Sequence, residues 1–460
     1  MCKNLHILFH IQIHNMEKDK ILSQCKQKNV RFIHLQFSDL MGMIKSVTIP
    51  ISKLEDAIDK NVWFDGSSIE GYTRIFESDM YLKLDLPTFA IVPWESNGET
   101  AVARIICDVF MPDGQPFEGS PRHILKRQLE RAKKMGFDHY NVGPELEFFL
   151  FPLNENGKPI VDPHDRAGYF DYSADKAGTI RQAMSSVVVQ MGVDVETIHH
   201  EVAPGQHEID FKYNDALTQA DQVITVKTAL RAVAQKHNLH ATFMPKPIAG
   251  INGSGMHVHQ SLEKNGKNDF YSEKSKYNGL SDTAIHFIGG QLKHMHEITA
   301  ITNPIANSYK RLVPGYEAPV YIAWGQTNRS ALIRIPRLTK GNIAGTRCEL
   351  RSPDPAANPY LAFAVMLAAG LDGIEKKITP PEPVDENIFE FTDKKAKRMR
   401  VRTLPGSLSE ALDKMEKSTL AREVLGQHSF TKFLEAKKAE SDAFRRSVSQ
   451  WEIETYLDNY

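Results

Sequence analysis

Alternating polar and apolar residues predict several β-strands in this chain, and apolar residues at helical spacing predict several long helices. The main strand-like segments are Val30 to Phe37, Gly143 to Leu150, Val193 to His200, His207 to Tyr213 and Met256 to Leu262. The segments with helical spacing are residues 17–28, 175–191, 215–237 and 281–302, and a mostly apolar helix opens at Asn358-Pro359. Irregular alternation of strands and helices predicts an α+β fold.

Two features near residue 115 divide the chain into two units. The turn Met111-Pro112-Asp113-Gly114 closes the first unit, and Ser120-Pro121 is typical of a helix start. We therefore expect a small domain at residues 29–113, preceded by a helix at 16–28, and a larger domain at 119–460. Residues 1–15 lack a cleavage site of small residues, so we expect a loosely held extension rather than a signal peptide.

Local patterns predict two details of the small domain. Lys45 to Ile49 is expected to pair back on Val30 to Phe37 as a hairpin, because Asp39 to Gly42 has the composition of a turn. Ser52 is expected to cap a short helix that ends at Lys60.

Composition and charge exclude several classes of function. The 460 residues carry a formal net charge of −1, which indicates neither a nucleic-acid groove nor an anionic membrane surface as partner. The longest apolar run, Leu361 to Leu371, is too short to span a bilayer. The cysteines Cys2, Cys25, Cys107 and Cys348 form no C-x-x-C pair, which suits a reducing compartment. We expect a cytoplasmic protein that binds neither nucleic acid nor membrane.

The strand from Gly143 to Leu150 carries the first indication of chemistry. Glu145 and Glu147 lie two residues apart, so their side chains point to the same face of the strand. Next to apolar residues, two such carboxylates repel each other, and either a proton or a cation must relieve the repulsion. Alone, this pattern is more typical of a solvated sheet face.

Three further stretches resemble this pair. His199-His200-Glu201 and Glu208 flank the turn Pro204-Gly205, which can fold two carboxylates toward one point. His257 and His259 share one strand face after a glycine-rich loop, and Arg347, Glu349 and Arg351 share another. Singly, each stretch is more typical of a hydrogen-bonded surface pair or a salt-bridged face. Together, the four stretches indicate a site.

Five glutamates and one histidine supply two cation sites of three protein ligands each. Mostly oxygen ligands favour Mg²⁺ or Mn²⁺ over Zn²⁺, and paired metals of this kind usually serve phosphate chemistry. Cations for phosphate or carboxylate groups are also present: Arg311, Arg329, Arg334, Arg347 and Arg351. The chain has no P-loop, and Gly250 to Gly255 lacks Rossmann spacing. These residues predict a two-metal enzyme acting on phosphate, and leave open an ATP-using ligase or a phosphohydrolase.

From about residue 17 to its C-terminus, the chain resembles the class I glutamine synthetases of bacterial or archaeal type. The motifs that carry the resemblance are Phe64-Asp65-Gly66-Ser67-Ser68, Gly143 to Phe148, His199 to Glu208, Lys246-Pro247, Asn252 to His257, Asn307 to Glu317, Asn328-Arg329-Ser330 and Arg351 to Tyr360. The resemblance implies an N-terminal β-grasp domain and a larger catalytic domain of antiparallel strands and helices. It also implies ATP-dependent ligation of ammonia to L-glutamate through γ-glutamyl phosphate.

The resemblance implies a role for each matching residue. The first metal site would comprise Glu147, Glu201 and Glu208, and the second Glu145, His257 and Glu349, holding two Mg²⁺ ions, with Mn²⁺ as an alternative. The glutamate-binding residues would be Ser68, Asn252, Gly253, Arg311, Glu317 and Arg351. The residues for ATP, the co-substrate, would be Glu196, His259, Gln260, Ser261, Arg329, Arg334 and Arg347. The catalytic residues would be Asp65, which binds ammonium and takes its proton, Glu317 on a closing loop, and Arg329.

The resemblance also bears on assembly and regulation. It implies a homo-oligomer, a dodecamer of two six-membered rings in which the N-terminal domain completes the neighbour's active site. Arg74 matches an arginine linked to feedback inhibition by glutamine. Phe389 stands where the branch controlled by adenylylation has a tyrosine, so we expect no adenylylation there. Lys340 lies near the phosphate-binding positions, but variable spacing gives it no role.

Three other functions compete with this interpretation. A relative of the same fold would ligate glutamate to a larger amine, although the intact loop with Asp65 and Ser68 argues against it. A non-catalytic paralogue would serve as a regulator, although each metal and arginine position is filled. A two-metal phosphohydrolase would release phosphate without any dependence on ammonium.

Overall fold

The computed structural model describes most of the chain, with side chains from residue 15 onward. The described residues are 2–67, 69, 79–277, 279–314, 318–326, 328, 330–337, 342–388, 391 and 402–460. The predicted α+β class is confirmed: one sheet forms in the N-terminal part, and a larger one forms after residue 138.

One N-terminal helix covers both the predicted extension and the predicted helix at 16–28. This helix, α1, runs over Cys2–Gln27. The strands that follow are β1 (Val30–Ser38), β2 (Ile44–Pro50), β3 (Val62–Asp65), β4 (Asp79–Leu84), β5 (Ala90–Ile91) and β6 (Ala101–Phe110). They form a sheet in the order β2-β1-β6-β4-β3, with β5 paired to β6.

The hairpin expected in this unit is confirmed, and the expected helix cap is wrong. β1 and β2 pair antiparallel, with Leu35 opposite Val47. Ile51–Lys53 already winds into a 3-10 turn, so α2 (Leu54–Lys60) begins after Ser52, and its N-cap residue is Lys53. Ser52 therefore lies before the helix boundary and caps nothing.

Within the described ranges, the larger sheet has eleven strands, antiparallel except for one parallel pair between β14 and β15. Its path runs β17-β14-β15-β16-β12-β7-β9-β8. The strands of this path are β7 (His139–Pro152), β8 (Val195–His200), β9 (Gln206–Phe211), β12 (Met256–Lys264), β14 (Tyr321–Gly325), β15 (Ala331–Arg334), β16 (Cys348–Leu350) and β17 (Arg402–Thr403). Three short strands join it at the side: β10 (Asn214–Asp215) and β11 (Leu239–Thr242) on β7, and β13 (Lys267–Asn268) on β12.

This sheet packs against α3 (Pro121–Lys134), α4 (Gly178–Gln190), α5 (Ala216–Lys236) and α6 (Asp282–Thr302). Further helices are α7 (Ser308–Arg311), α8 (Pro359–Glu375), Leu408–Glu416, Thr419–Arg446 and Gln450–Tyr456. Helix α8 is apolar all round and buried over Pro359 to Gly373, as its sequence predicts. It packs closely on α6, because a Cβ at Gly290 would lie 2.1 Å from the Ala369 carbonyl oxygen.

Buried polar contacts join the two units. Arg122, on α3, forms ion pairs with Asp85 at 2.6 Å and Asp108 at 2.8 Å from the smaller unit, and with Asp221 at 2.9 Å from α5. The Tyr360 hydroxyl donates to Asp221 at 2.5 Å. The smaller sheet is thus held against the helices behind the larger one. Among the described helices, none is long and apolar enough to cross a membrane.

Candidate active site

Strand pairing brings five of the six predicted metal ligands to adjacent strands of the larger sheet. In the antiparallel registers, Glu145 lies opposite His257 and Glu147 lies opposite Glu208. Glu349, on β16, pairs with His259, two residues beyond His257. Glu201 comes from the turn after β8. Directly opposed residues lie about 5 Å apart, so their side chains converge on one face.

Glu145, His257 and Glu349 form the tighter of the two predicted metal groups. Each offers a ligand atom within 4.8 Å of the others. His257 Nδ1 lies 3.2 Å from Glu145 Oε2 and 3.7 Å from Glu349 Oε1. Arg334 and Arg351 bind Glu349 at 2.8 and 3.1 Å, which fixes its carboxylate. One imidazole and two carboxylates fit a Mg²⁺ or Mn²⁺ ion with open positions.

Glu147, Glu201 and Glu208 line the same cavity more loosely. Glu147 Oε2 accepts hydrogen bonds from the Gly255 amide at 2.9 Å and from Gln206 Nε2 at 2.8 Å. His199 lies between the other two carboxylates, 3.6 Å from Glu201 and 3.8 Å from Glu208. Ligand atoms of Glu208 also approach those of His199 and Asp210 within 4.8 Å. Three carboxylates from three elements supply the hard oxygen donors that a second divalent cation requires.

Two carboxylates of the site are held in their charged form. Burial opposes the ionisation of Glu145, but hydrogen bonds from His257 and His259 outweigh it and hold its pKa well below the usual range. Burial likewise opposes the ionisation of Glu349, but His259 and Arg351 lower its pKa. His259 donates from Nε2 to Glu145 at 2.7 Å, since its Nδ1 accepts from Arg347 at 3.1 Å.

Glu147 and Glu208 resist ionisation because they are buried and lie close to other carboxylates. Burial, together with repulsion from Glu201, raises the pKa of Glu147 to about 7. Burial, with repulsion from Glu147 and Asp210, raises the pKa of Glu208 far above its usual range. A bound cation relieves such crowding. For Glu145 and Glu147, the sequence predicted that either a proton or a cation is required.

The cavity that holds these ligands has a volume of about 300 Å³ and contains the predicted glutamate-binding residues that the structure describes. Asn252, Gly253, Arg311 and Arg351 all line it, as does Arg334. Arg311 is buried and donates to the carbonyl oxygens of Ser352 at 2.7 Å and Arg351 at 3.1 Å. Arg311 therefore also fixes the chain segment that carries Arg351.

A second cavity, of about 320 Å³, adjoins the first and shares Glu145 and Asp210 with it. The predicted nucleotide residues Glu196, His259, Ser261 and Arg347 line it. Gln260 borders it too, but its side chain is buried on the opposite strand face. There Gln260 Oε1 accepts from the Tyr140 hydroxyl at 2.7 Å, so this residue supports the sheet from behind.

Other predicted site residues are not in the cavities or lie outside the described part of the chain. Asp65 ends β3 in the smaller sheet and lines neither cavity, and its Oδ1 accepts from the Ser67 amide at 2.8 Å. The predictions for Ser68, Arg74, Glu317 and Arg329, and the remarks on Lys340 and Phe389, fall on residues outside the described ranges.

Several residues that line the cavities were not predicted from the sequence, among them Tyr169, Gln206 and Tyr213. Tyr169 lines the first cavity, and its ring meets that of His199 edge-on at 5.6 Å. Gln206 joins Glu147 to the Gly253 carbonyl oxygen, at 2.8 and 3.1 Å. Tyr213, 54% exposed, lines the second cavity. Gln206 shares a strand face with Glu208, so strand alternation was a signal for this residue; Tyr169 and Tyr213 lie outside the strands and had no such signal.

The chain matches family models over most of its length. A model described as "Glutamine synthetase, catalytic domain" matches residues 118–456, and one described as "Glutamine synthetase, beta-Grasp domain" matches residues 29–112.

Individual relatives agree with the family models. The chain is 54% identical to a glutamine synthetase of Thermus thermophilus, over 96% of this chain and 99% of the relative. It is 53% identical to one of Methanosarcina mazei, over 96% and 97%. Among solved structures, one titled "GmaS/ADP complex" is 33% identical with a TM-score of 0.85, over 95% of this chain and 99% of the other. A Plasmodium falciparum glutamine synthetase is 27% identical with a TM-score of 0.84, over 97% and 98%.

Proposed function

This chain belongs to the glutamine synthetase family and is an ATP-dependent glutamate–ammonia ligase, and we propose that the two adjoining cavities carry out its reaction. The observation that carries this assignment is the convergence of Glu145, Glu147, Glu201, Glu208, His257 and Glu349 on one cavity beside buried arginines. Ligation requires an activated carboxylate, because the oxide of a carboxylate is a poor leaving group. Phosphorylation by ATP supplies that activation.

We propose that two Mg²⁺ ions, or Mn²⁺ in their place, bind these ligands. Glu145, His257 and Glu349 would hold one ion, and Glu147, Glu201 and Glu208 the other. Bound cations neutralise the charge of the phosphate groups during transfer. Within the chain, Arg334 and Arg351 orient Glu349 through the ion pairs described above, so the ligand is preorganised.

The nucleotide is proposed to occupy the second cavity. Its walls include the exposed Tyr213 ring and the Arg347 guanidinium, two groups suited to stacking on a planar base. Glu145 and Asp210 border both cavities, so the phosphate groups would extend toward the first cavity between these carboxylates. L-Glutamate is proposed to lie in the first cavity, with Arg351 beside its carboxylate groups.

Asp65 is proposed to act in a neighbouring subunit. It lies in the smaller sheet, away from both cavities of its own chain. A carboxylate that attracts ammonium and accepts its proton is needed next to the acyl phosphate. We therefore propose a homo-oligomer, a dodecamer of two six-membered rings, in which Asp65 completes the next subunit's cavity.

Domain organisation and location are proposals of the same kind. Separate apolar cores in the two sheets support a division into domains at residues 29–113 and 119–460. Cys25, Cys107 and Cys348 are buried free thiols, which favours a reducing, cytoplasmic location.

A coupled assay for glutamine and phosphate, with each substrate omitted in turn, tests the assignment. Both products should require L-glutamate, ammonium, ATP and Mg²⁺ together. Phosphate release that does not depend on ammonium would indicate a phosphohydrolase instead. A product formed with a larger amine but not with ammonium would indicate a different ligase, and no phosphate release at all would indicate a non-catalytic paralogue.

A further inference from the structure

The hairpin of β8 and β9, which carries Glu201 and Glu208, has a buried face opposite the cavity. In its register, His199 pairs with Glu208 on the cavity side, and His200 pairs with His207 on the other side. His200 is 1% exposed and His207 is 0% exposed. The two rings meet edge-on, with centroids 4.8 Å apart. The metal-binding hairpin is therefore backed by two buried histidines.

One buried carboxylate, Asp165, holds this hairpin from behind. Asp165 Oδ1 accepts from His200 Nε2 at 2.9 Å and from the Gly205 amide at 3.2 Å. The other nitrogen of His200, Nδ1, faces the Glu201 carbonyl oxygen at 2.6 Å. Both partners of the ring are acceptors, so the imidazole donates from both nitrogens. His200 thus connects Asp165 directly to the main chain of a proposed metal ligand.

The same carboxylate closes the loop of residues 166–175. Asp165 Oδ2 accepts from the Lys176 amide at 3.1 Å, which joins the two ends of the loop. At its far end, Asp175 accepts from Arg181, which in turn contacts His207 Nδ1 at 3.0 Å. The loop is therefore bound to the buried face of the hairpin at both ends.

The middle of this loop packs on the cavity side of the hairpin. The rings of Tyr169 and Phe170 stack 3.9 Å apart, and both meet the His199 ring edge-on. Phe170 has a φ of +60°, a conformation that costs a non-glycine residue energy and persists where the surroundings require it. The loop 166–175 thus contacts both faces of the hairpin, next to the position of the proposed first cation.

We propose that Asp165 is a positioning residue that couples the order of the loop 166–175 to cation binding by Glu147, Glu201 and Glu208. This inference rests on the first cation site of the proposed function. Asp165 touches neither cation nor substrate; it fixes the turn from which Glu201 projects. Groups that orient metal ligands typically change metal affinity by about tenfold to a hundredfold when they are replaced.

The decisive variant is Asp165→Asn, which retains the shape of the side chain but loses its charge and one of its two acceptor oxygens. Mn²⁺ titration of the full-length protein, followed by electron paramagnetic resonance, counts the sites and their affinities. We expect one of two sites to weaken by about tenfold to a hundredfold while the other is unchanged. Excess Mn²⁺ should restore turnover.

Asp372→Asn is the matched control, because Asp372 forms a buried pair with His294 at 2.8 Å outside both cavities. It should lower thermal stability and leave both Mn²⁺ affinities unchanged. Wild-type affinity at both sites in Asp165→Asn, or equal weakening of both, overturns the inference. If the wild-type protein binds no Mn²⁺, the proposed function itself fails.

Amide hydrogen exchange of the wild-type protein provides a measurement that does not depend on a variant folding. Mn²⁺ should slow exchange at the Gly205 and Lys176 amides, which donate to Asp165, and across residues 166–175. Exchange in this loop that is identical with and without Mn²⁺ overturns the coupling, whatever the variants show.

Discussion

Replacing Arg122 by methionine removes the cation that three carboxylates share between the two sheets. The side chain of Arg122 is 4% exposed, and that of Asp221 is 10% exposed. Asp85 and Asp108 are 27% and 20% exposed, and Asp108 retains Lys126 at 2.5 Å. The cost of Arg122→Met therefore falls mainly on Asp221, the most buried of the three carboxylates, which loses its cation.

The expected loss follows from this burial. Removing one partner of a buried ion pair costs about 3–5 kcal/mol. For 460 residues, an unfolding entropy of about 2 cal/mol/K per residue converts this into a fall of about 3–5 °C in apparent Tm. Neutralising Asp221 in the same chain should recover part of the loss, because the uncompensated charge is then absent.

Scanning calorimetry of Arg122→Met, Asp221→Asn and the double variant measures this coupling. Lys60→Met, which removes an exposed pair with Asp56, is the control and should leave Tm unchanged. If the losses of the two single variants simply add in the double variant, Arg122 and Asp221 are not energetically coupled, and the reasoning is wrong.

Three further predictions concern the site and the core. Asp65→Ala should retain ATP binding and lose most ammonium-dependent glutamine formation. Mixed oligomers of Asp65→Ala and Glu349→Gln subunits should regain activity, because an intact cavity in one subunit then meets an intact Asp65 from its neighbour. Full activity of Asp65→Ala alone would contradict the proposed role of Asp65. Burial lowers the pKa of His294, but hydrogen bonds to Glu297 and Asp372 outweigh burial and raise it above 6.5. The stabilisation that protonated His294 contributes should therefore be complete below pH 6.5 and be lost as the pH rises through the raised pKa. The Tm difference between wild type and His294→Asn should accordingly shrink at alkaline pH, and a constant difference would refute this. Gly290→Ala should destabilise the chain by about 1–3 kcal/mol in urea titrations, because its Cβ would meet a backbone oxygen of α8 at 2.1 Å, and an unchanged midpoint would refute the close packing.

Local alternation was sufficient to predict the strands that carry the proposed metal ligands. Glu145 and Glu147 share a face in any strand, as do His257 and His259, whatever lies beside them. The same rule assigns Gln260 to the opposite face, with Val258 and Leu262, where the structure shows it buried. The resemblance had grouped Gln260 with the nucleotide residues, although strand alternation already directed its side chain toward the core.

Other features depended on pairings between distant segments. The structure places β7 between β9 and β12, so that Glu147 meets Glu208 and Glu145 meets His257. Asp165 has an unremarkable sequence context, and its importance appears only because the hairpin folds against it.

The amino-acid order was enough to predict the proposed ligand residues and the faces on which they lie, because side-chain alternation is a property of each strand's own backbone. The folded chain decided three other features: the convergence of those faces, the packing of the loop 166–175 on the hairpin, and the position of Asp65 outside the cavities of its own chain. Strand order and register are those that minimise the free energy of the whole sheet together with its buried helices. No local stretch of sequence determines that free energy, because it depends on contacts between distant segments.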